Sequence, residues 1–297
     1  MANGLASIIT EATGIKTTVK SLGTIGSYMD QFEAGDIDFS LTSKTDPIWA
    51  YYGEKDYEGQ KREKLRTVMI GTNQGWSLLL DAEGVTSPEE LAAWLPGKSV
   101  TYHWFNPVID LYMDVAAANL GISPADWRAV PVGSYDDMAA SWSEHKIDAA
   151  AITLGAGIYQ QMMAARPFHV GSLSNSPEAI ERMNKIEPAL YISKQEPGPL
   201  GVEEPIHVLT YDYWLGVRDD VDDEVVRLVL KALYENQDKI AKLPNLEEWG
   251  PAEEKWVSDT AFVPYHSAAV DFYKEIGLWN ETMEQKQAEW LSGKPRF

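Results

Sequence analysis

The sequence predicts an α/β chain divided into two lobes, and three observations carry that reading. Strand-like and helix-like stretches alternate from Ile15 to Thr153, the pattern of parallel sheets joined by right-handed crossovers. The 297 residues are ample for two cores. The composition then breaks at Glu196-Pro-Gly-Pro-Leu-Gly, which cannot be helical. A long aromatic strand over residues 207–218 follows, placed to carry the chain back between domains. The expected division is residues 1–98 for the first part of one lobe and 99–205 for the second. Residues 206–297 then supply a return strand and C-terminal helices packed on the first lobe.

Composition narrows the class of function. With 45 acidic against 25 basic residues the formal charge is −20, which argues against nucleic acid or an anionic membrane as partner. The absence of cysteine excludes disulfides, thiolate zinc sites and cysteine nucleophiles together. No apolar run approaches the ~18 residues that a membrane span needs. No basic segment followed by an apolar one marks a leader, and the chain opens in what reads as the middle of a helix. A processed or truncated chain and a cytoplasmic one both fit that start.

In order along the chain, Leu5, Ile8 and Ile9 share a helical face and Gly14 stops that helix. Residues 15–21 alternate as a strand, residues 23–27 read as a turn, and a short helix with Met29 and Phe32 runs to Gly35. A strand over 37–41 leads through a polar loop, 42–47, into a helix carrying Ile48, Trp49 and Tyr52. Residues 57–64 are charged and read as surface. Strands over 65–72 and 76–80 are joined by Asn73-Gln74-Gly75, and Ser87 with Glu90 forms a capping box. Strands over 127–132 and 147–153 flank a helix over 136–143. From Asp222 the pattern is helical to the end; Val225, Leu228, Val229 and Leu233 mark one helix, and Val270, Phe272, Tyr273 and Ile276 the last clear one.

The chain is organised around residues 99–121. Residues 100–105 are rich in β-branched and aromatic side chains and read as a strand. Asn106 suits an N-cap, Pro107 the first helical position, and Gly121 the stop. A strand feeding a helix N-terminus leaves uncommitted N–H groups at the positive end of the helix dipole, a seat for a small anion. Tyr102, His103, Trp104 and Phe105 crowd that turn. Each alone reads more readily as an ordinary strand or core aromatic, but alternation along a strand sends some of the four away from the core.

Other chemistry finds little support. His103, His145, His169, His207 and His266 show no pair at i, i+4 and no carboxylates at ligand spacing, so no metal site is expected. Gly97-Lys98-Ser99 imitates the end of a phosphate loop but precedes a strand instead of opening a helix. Gly155-Ala156-Gly157 is half of a dinucleotide fingerprint, with Gln160 where the third glycine belongs. No G-x-S-x-G elbow occurs, and the acids from Asp219 to Glu224 read as a solvated helix start. Neither catalytic machinery nor a cofactor is expected.

Four stretches stand in a telling order: EATGIKTTV from Glu11, AGDIDFSLTSKTDPIWAYYG from Ala34, HKIDAAAITLGAG from His145, and FVPYHSAAVDFYKEIGL from Phe262. Their order and spacing, over nearly the whole chain, resemble the TAXI group of TRAP-transporter solute-binding proteins. The resemblance implies a two-lobed periplasmic binding protein of type II with a ligand cleft between lobes. It also implies an extracytoplasmic location, a small organic acid as ligand, the membrane subunits of a TRAP transporter as partner, and a monomer. Three departures stand out. The family's opening strand and Gly-rich turn do not precede the first helix, its Gln-Ser-Asp falls on Ser43-Lys44-Thr45, and its small G-x-P-G-S-G turn falls on residues 103–108, where rings replace glycines.

By this resemblance, residues 23–27 (Gly26 and Ser27 among them), Ser43, Lys44, Thr45, His103, Trp104, Phe105, Asn106, Thr153 and Gly155 line the cleft. Lys44 reads either as a solvated lysine or as a charge-assisted donor to a carboxylate. Trp76, Tyr211 and Tyr213, near strand ends or on the crossing segment, read either as core or as ligand contacts. With 11 Trp and 14 Tyr the chain has more rings than a core needs. Rings beside an anion seat favour a flat or aromatic acid by ~0.5–1.5 kcal/mol per well-placed pair. The expected function is capture of such an acid for a TRAP-type secondary transporter; an enzyme or a ligand sensor on the same scaffold is the alternative.

Overall fold

The first helix, α1 (Ala2–Thr13), buries Leu5 and Ile8 on one face and stops at Gly14, whose φ of 75° suits glycine. The computed structural model describes residues 1–20, 25–72, 75–198, 201–243, 246–250 and 253–294. Past α1 the sequence expectation of a strand fails. Residues 15–20 are irregular, and Ile15 and Val19 are 50% and 37% exposed. Alternating residues gain nothing from extension unless a neighbouring strand takes up their backbone groups and one face is buried. Helix α2 (Ile25–Ala34) begins within the expected turn, so Gly26 and Ser27 are helical, while Gly23 and Thr24 lie outside the described residues. Strand β1 (Phe39–Ser43) and helix α3 (Thr45–Tyr52) leave only Lys44 between them, where the sequence predicts a longer loop. Tyr57, in a stretch that reads as surface, is buried because its hydroxyl donates to the buried Asp46 carboxylate at 3.1 Å.

Strands β2 (Leu65–Thr72) and β3 (Trp76–Leu80) take their predicted bounds, and α4 (Pro88–Trp94) starts on the Ser87–Glu90 capping box. Then follow β4 (Ser99–Trp104), α5 (Pro107–Leu120), β5 (Arg128–Val132), α6 (Tyr135–Ser143), β6 (Ala149–Thr153) and α7 (Ile158–Ala165). The next elements are β7 (His169–Val170), α8 (Pro177–Asn184), β8 (Tyr191–Gln195) and β9 (Ile206–Thr210). The single strand predicted over 207–218 is in fact two. β9 and β10 (Asp212–Arg218) part at Tyr211 and enter different sheets. Helices α9 (Asp223–Tyr234), α10 (Gln237–Ile240), α11 (Ser267–Glu275) and α12 (Glu281–Leu291) complete the chain, so one more helix follows the last one the sequence marks clearly.

The elements form two compact units, residues 1–73 with 212–297 and residues 74–211. Relative to the sequence division, β3, α4 and β9 fold with the second unit. The first unit has a three-stranded sheet, β1-β10-β2, paired antiparallel throughout. The second has a mixed sheet, β5-β4-β6-β3-β9-β8, with β7 on β3. One isolated parallel bridge, Thr67 to Tyr265, lies in the first unit. Parallel strand pairing, which the sequence predicts generally, is found among the described strands only between β5, β4 and β6. Each of these three feeds directly into a helix, so only in the second unit does the rule that ligands sit beyond the carboxyl ends of parallel strands apply.

Each unit has its own core. In the first, Trp214, Trp249, Trp256, Tyr265 and Tyr273 are fully buried. An added Cβ on Gly216 would lie 1.7 Å from the Trp214 ring, so the glycine is needed for that ring to lie along its own strand. In the second, Trp76, Leu78, Leu79, Trp142 and Phe168 fill the interior. Arg166 is 7% exposed there; it pairs with Asp81, lies 4.1 Å from the centre of the Trp142 ring, and donates to the Trp142 and Ile147 carbonyls.

Candidate functional site

Strand β4 does not run straight to its end. Its pairing with β5 slips between Thr101 and Trp104, and His103 inside that bulge has a φ of 64°. A left-handed conformation costs a residue with a Cβ roughly 1–2 kcal/mol, and bulges of this kind re-aim the side chains that follow. Here Trp104 is 6% exposed and Phe105 45%. Asp110, from the first turn of α5, holds the strained turn. Both its carboxylate oxygens lie 3.2 Å from the Trp104 N–H, and it also accepts from the His103 N–H. Burial raises the Asp110 carboxyl above its ordinary value, against the pull of those amides. The anion-accepting geometry expected at this turn is therefore present, and the chain's own carboxylate fills it. Asn106 is likewise occupied, accepting from the Val108 N–H at 3.1 Å as the cap of α5.

The four rings divide into two groups. Tyr102 donates to Asp114 at 2.5 Å and lies against His103 and Trp127, with ring centres 4.7 and 6.0 Å away. Phe105 turns outward to meet Tyr135, the first residue of α6, at 5.5 Å and near a right angle. Both rest on Trp104, at 6.2 and 5.7 Å. Tyr135 is 42% exposed, so Phe105 and Tyr135 form an open aromatic ledge with Trp104 as its floor. The Trp104 indole N–H is buried and has no acceptor among the described residues.

The other two helix starts at this end of the sheet differ from each other. At α6, Ser134 accepts from the Asp137 N–H and Asp137 accepts from the Gly133 N–H, both at 3.1 Å, so an acid again closes the turn. At α7 no side chain caps the helix and its first turn holds no acid. Gly155 there has a φ of 82°, and the N–H groups of Gly155, Gly157 and Ile158 find no protein acceptor among the described residues. Tyr159 fixes this loop from below: its hydroxyl donates to the Ala151 carbonyl at 3.0 Å and accepts from the Thr153 N–H at 3.3 Å. Burial raises the Tyr159 phenol above its ordinary value, with Tyr135 close enough to add to the effect.

Two of the predicted rings are interior. Trp76 and Tyr211 are 2% and 8% exposed and both pack on Tyr112, Trp76 edge-on at 5.8 Å and Tyr211 stacked at 4.9 Å. Trp76 also pairs with Thr153 across the β3–β6 ladder, which ties that core to the α7 loop.

In the first unit the structure brings Ser43, Lys44, Thr45 and Tyr213 together. Ser43 is the register partner of Tyr213, and its hydroxyl donates to Thr45 Oγ1 at 3.3 Å. Tyr213 also meets the Trp249 ring at 6.2 Å. Lys44 is fully buried; its Nζ lies 2.5 Å from the Asp212 carboxylate and 3.2 Å from Thr260 Oγ1. Its charge is already matched inside the unit. Gly26 and Ser27 sit apart in sequence, in the first turn of α2. A groove of about 400 Å³ elsewhere in this unit is lined by Tyr51, Lys61, Arg66 and Asp219 among others, and holds none of the predicted residues.

Sequence reasoning missed Asp110, Tyr135, Tyr159 and Asp212. A first-turn acid behind an N-cap was a legible signal for Asp110; nothing local marks the other three. No group of three or more His, Asp or Glu that could hold a metal occurs among the described residues, and no helix among them is long and apolar enough to cross a membrane.

Comparison with known proteins agrees with this architecture. The fold is similar to that of a ligand-binding component of an ABC-type import system from Staphylococcus aureus, solved with zinc bound. The match is 12% identical over 96% of this chain and 78% of that one, with a TM-score of 0.50. A structure described as a periplasmic transporter matches at 13% identity over 97% and 90% of the two chains, with a TM-score of 0.52. An R. palustris protein solved with adipate matches at 13% identity over 98% and 90%, with a TM-score of 0.50. No curated protein matches. These likenesses establish the mixed α/β fold of two-lobed solute-binding proteins. The model of the NMT1-like family matches residues 1–277, and the chain belongs to that family.

Proposed function

We propose that the protein is an extracytoplasmic, monomeric solute-binding protein that captures a small organic acid bearing a flat or aromatic ring and delivers it to the membrane subunits of a TRAP-type transporter. The observation that carries this reading is the contrast among the three helix starts beyond β4, β5 and β6. Asp110 and Asp137 close two of them, whereas the α7 loop, Thr153 to Ile158, keeps free amides at the positive end of a helix. A carboxylate is the group such a loop accepts best. The unpaired indole N–H of Trp104 adds a buried donor in want of an acceptor. The ring preference rests on the ledge of Phe105 and Tyr135. The TRAP assignment rests on the four motifs that resemble the TAXI group.

In this reading His103 and Asn106 shape the β4–α5 turn and Trp76 and Tyr211 brace the core behind the loop; within the first unit, Ser43, Thr45, Tyr213 and the α2 start at Gly26 and Ser27 stay candidate ligand contacts. Lys44 acts by holding β1 to β10 through Asp212. Calorimetric titration with benzoate, 3-phenylpropionate, butyrate and adipate tests the proposal. Binding of at least one of them, tightest for a ring-bearing acid, is expected; silence across the panel contradicts it.

A further inference from the structure

We propose that Gly157, the residue before α7, is a specificity-determining position: its missing side chain decides how much bulk the captured acid carries on the carbon that bears its carboxylate. This rests on the acid-capture reading above. A glycine is ordinarily explained by a positive φ or by a neighbour that a Cβ would strike. Gly157 has neither. Its φ of −62° and ψ of −27° are helical values open to any residue, and an added Cβ would meet nothing within 4 Å. Every other glycine whose surroundings are described has a positive φ or another atom within that distance. The helix gains nothing either, since Asn106 and Ser134 cap α5 and α6 with their side chains where Gly157 offers none. Local folding leaves this glycine unexplained. Close approach of a ligand group to the free amides of Gly155, Gly157 and Ile158 explains it.

A second observation points to the same place. β4 and β6 are neighbours in the sheet, with Val100 opposite Ala149 and the Ala151 N–H 3.3 Å from Thr101 Oγ1. Trp104 and Thr153, each four residues past the first pair, therefore end adjacent strands, which run roughly 5 Å apart. The Trp104 ring meets Tyr135 at the start of α6, and α6 packs against α7, so the indole lies on the side of the sheet where α7 begins. Trp104 is 6% exposed and its buried N–H has no acceptor among the described residues. A carboxylate seated at the α7 loop supplies the charge such a donor lacks. Alanine at position 157 would keep every amide of the loop and the helix dipole, and would add only a methyl group in the space beside them.

The test titrates butyrate, 2,2-dimethylbutyrate and benzoate calorimetrically into the full chain and into Gly157→Ala. Gly133→Ala, in the loop that Asp137 closes, is the control. Because the Gly157 backbone suits alanine, the urea midpoint of Gly157→Ala is expected to equal or exceed the parent's. Its affinity for 2,2-dimethylbutyrate or benzoate, both substituted at the carbon beside the carboxylate, is expected to fall roughly tenfold or more, and its affinity for butyrate less than about threefold. Gly133→Ala is expected to bind as the parent does. Where the parent's one ligand is a bulky acid, the tenfold loss in Gly157→Ala against an unchanged Gly133→Ala decides. Equal weakening of bulky and unbranched acids, affinities in Gly157→Ala within about twofold of the parent's, or a parent that binds unbranched acids alone each overturns the proposal and leaves acid capture standing. If the parent binds none of these acids, acid capture itself fails and the proposal falls with it.

Discussion

Lys44 and Asp212 meet at 2.5 Å inside the first unit, the lysine fully buried and the aspartate side chain 9% exposed, with Thr260 as a further acceptor at 3.2 Å. The Lys44 N–H also donates to the Asp212 carbonyl, so backbone and side chain join the same two residues, one just past β1 and one opening β10. A buried pair of this kind adds little net stability over an apolar replacement, but losing one member strands a charge. Asp212→Asn is therefore expected to cost ~3–5 kcal/mol in unfolding free energy, read as a lowered urea midpoint. The double variant Lys44→Met with Asp212→Leu is expected to recover most of it. Equal losses in the single and double variants would show that the pair is not the source.

Asp110 should matter for the shape of the β4–α5 turn. Asp110→Ala leaves the His103 and Trp104 amides without their acceptor and the left-handed His103 without its tether. A loss of ~1–3 kcal/mol is expected, together with a change in the Trp104 fluorescence maximum. An unchanged spectrum and midpoint would mean the bulge is held by packing alone.

His266 makes stability depend on pH. It is 1% exposed, caps α11 by accepting from the Ala268 N–H at Nδ1, and burial holds its pKa below the ordinary 6.5, with Asp223 pulling the other way. The unfolded chain therefore takes up a proton more readily than the folded one. Stability is full above pH 6.5 and falls as the pH drops from there through the depressed folded value. His266→Asn keeps a capping oxygen and removes the titration. Its urea midpoint is expected to vary less than the parent's between pH 7 and pH 5, and equal slopes would contradict the assignment.

Much of the fold was written locally. Asn106-Pro107 and Gly121 bracket α5 as their capping roles require, the Ser87–Glu90 box starts α4, and Gly14 ends α1. What failed depended on partners far along the chain. Residues 15–20 alternate like a strand yet pair with no strand among the described residues, and residues 207–218 read as one strand because the change of sheet at Tyr211 leaves no local mark. The site shows the same division. The strand–helix pattern pointed to the crowded turn at residues 102–106 and, with the family resemblance, to Thr153 and Gly155. That Asp110 would fill the first and leave the second open was a matter of side-chain reach, as was the arrival of Tyr135 beside Phe105. Lys44 shows the limit most clearly: its buried partner is 168 residues away.

Gly216 offers a packing test. Its missing side chain lets the Trp214 ring lie along β10, reaching Phe32 at 6.3 Å and donating from Nε1 to Thr67 Oγ1 at 2.9 Å. Gly216→Ala forces the indole out of that place and is expected to cost ~1–3 kcal/mol. A neutral result by thermal or urea unfolding would show that the ring has another place to go.

The most direct measurement follows the amide signals of Gly155, Gly157 and Ile158 in a ¹⁵N-labelled sample while benzoate or 3-phenylpropionate is added. Saturable shifts concentrated on these three amides, with smaller ones at Trp104 Nε1, are the predicted result. Saturable binding that leaves all three amides unmoved would contradict the assignment of the α7 loop as the carboxylate seat.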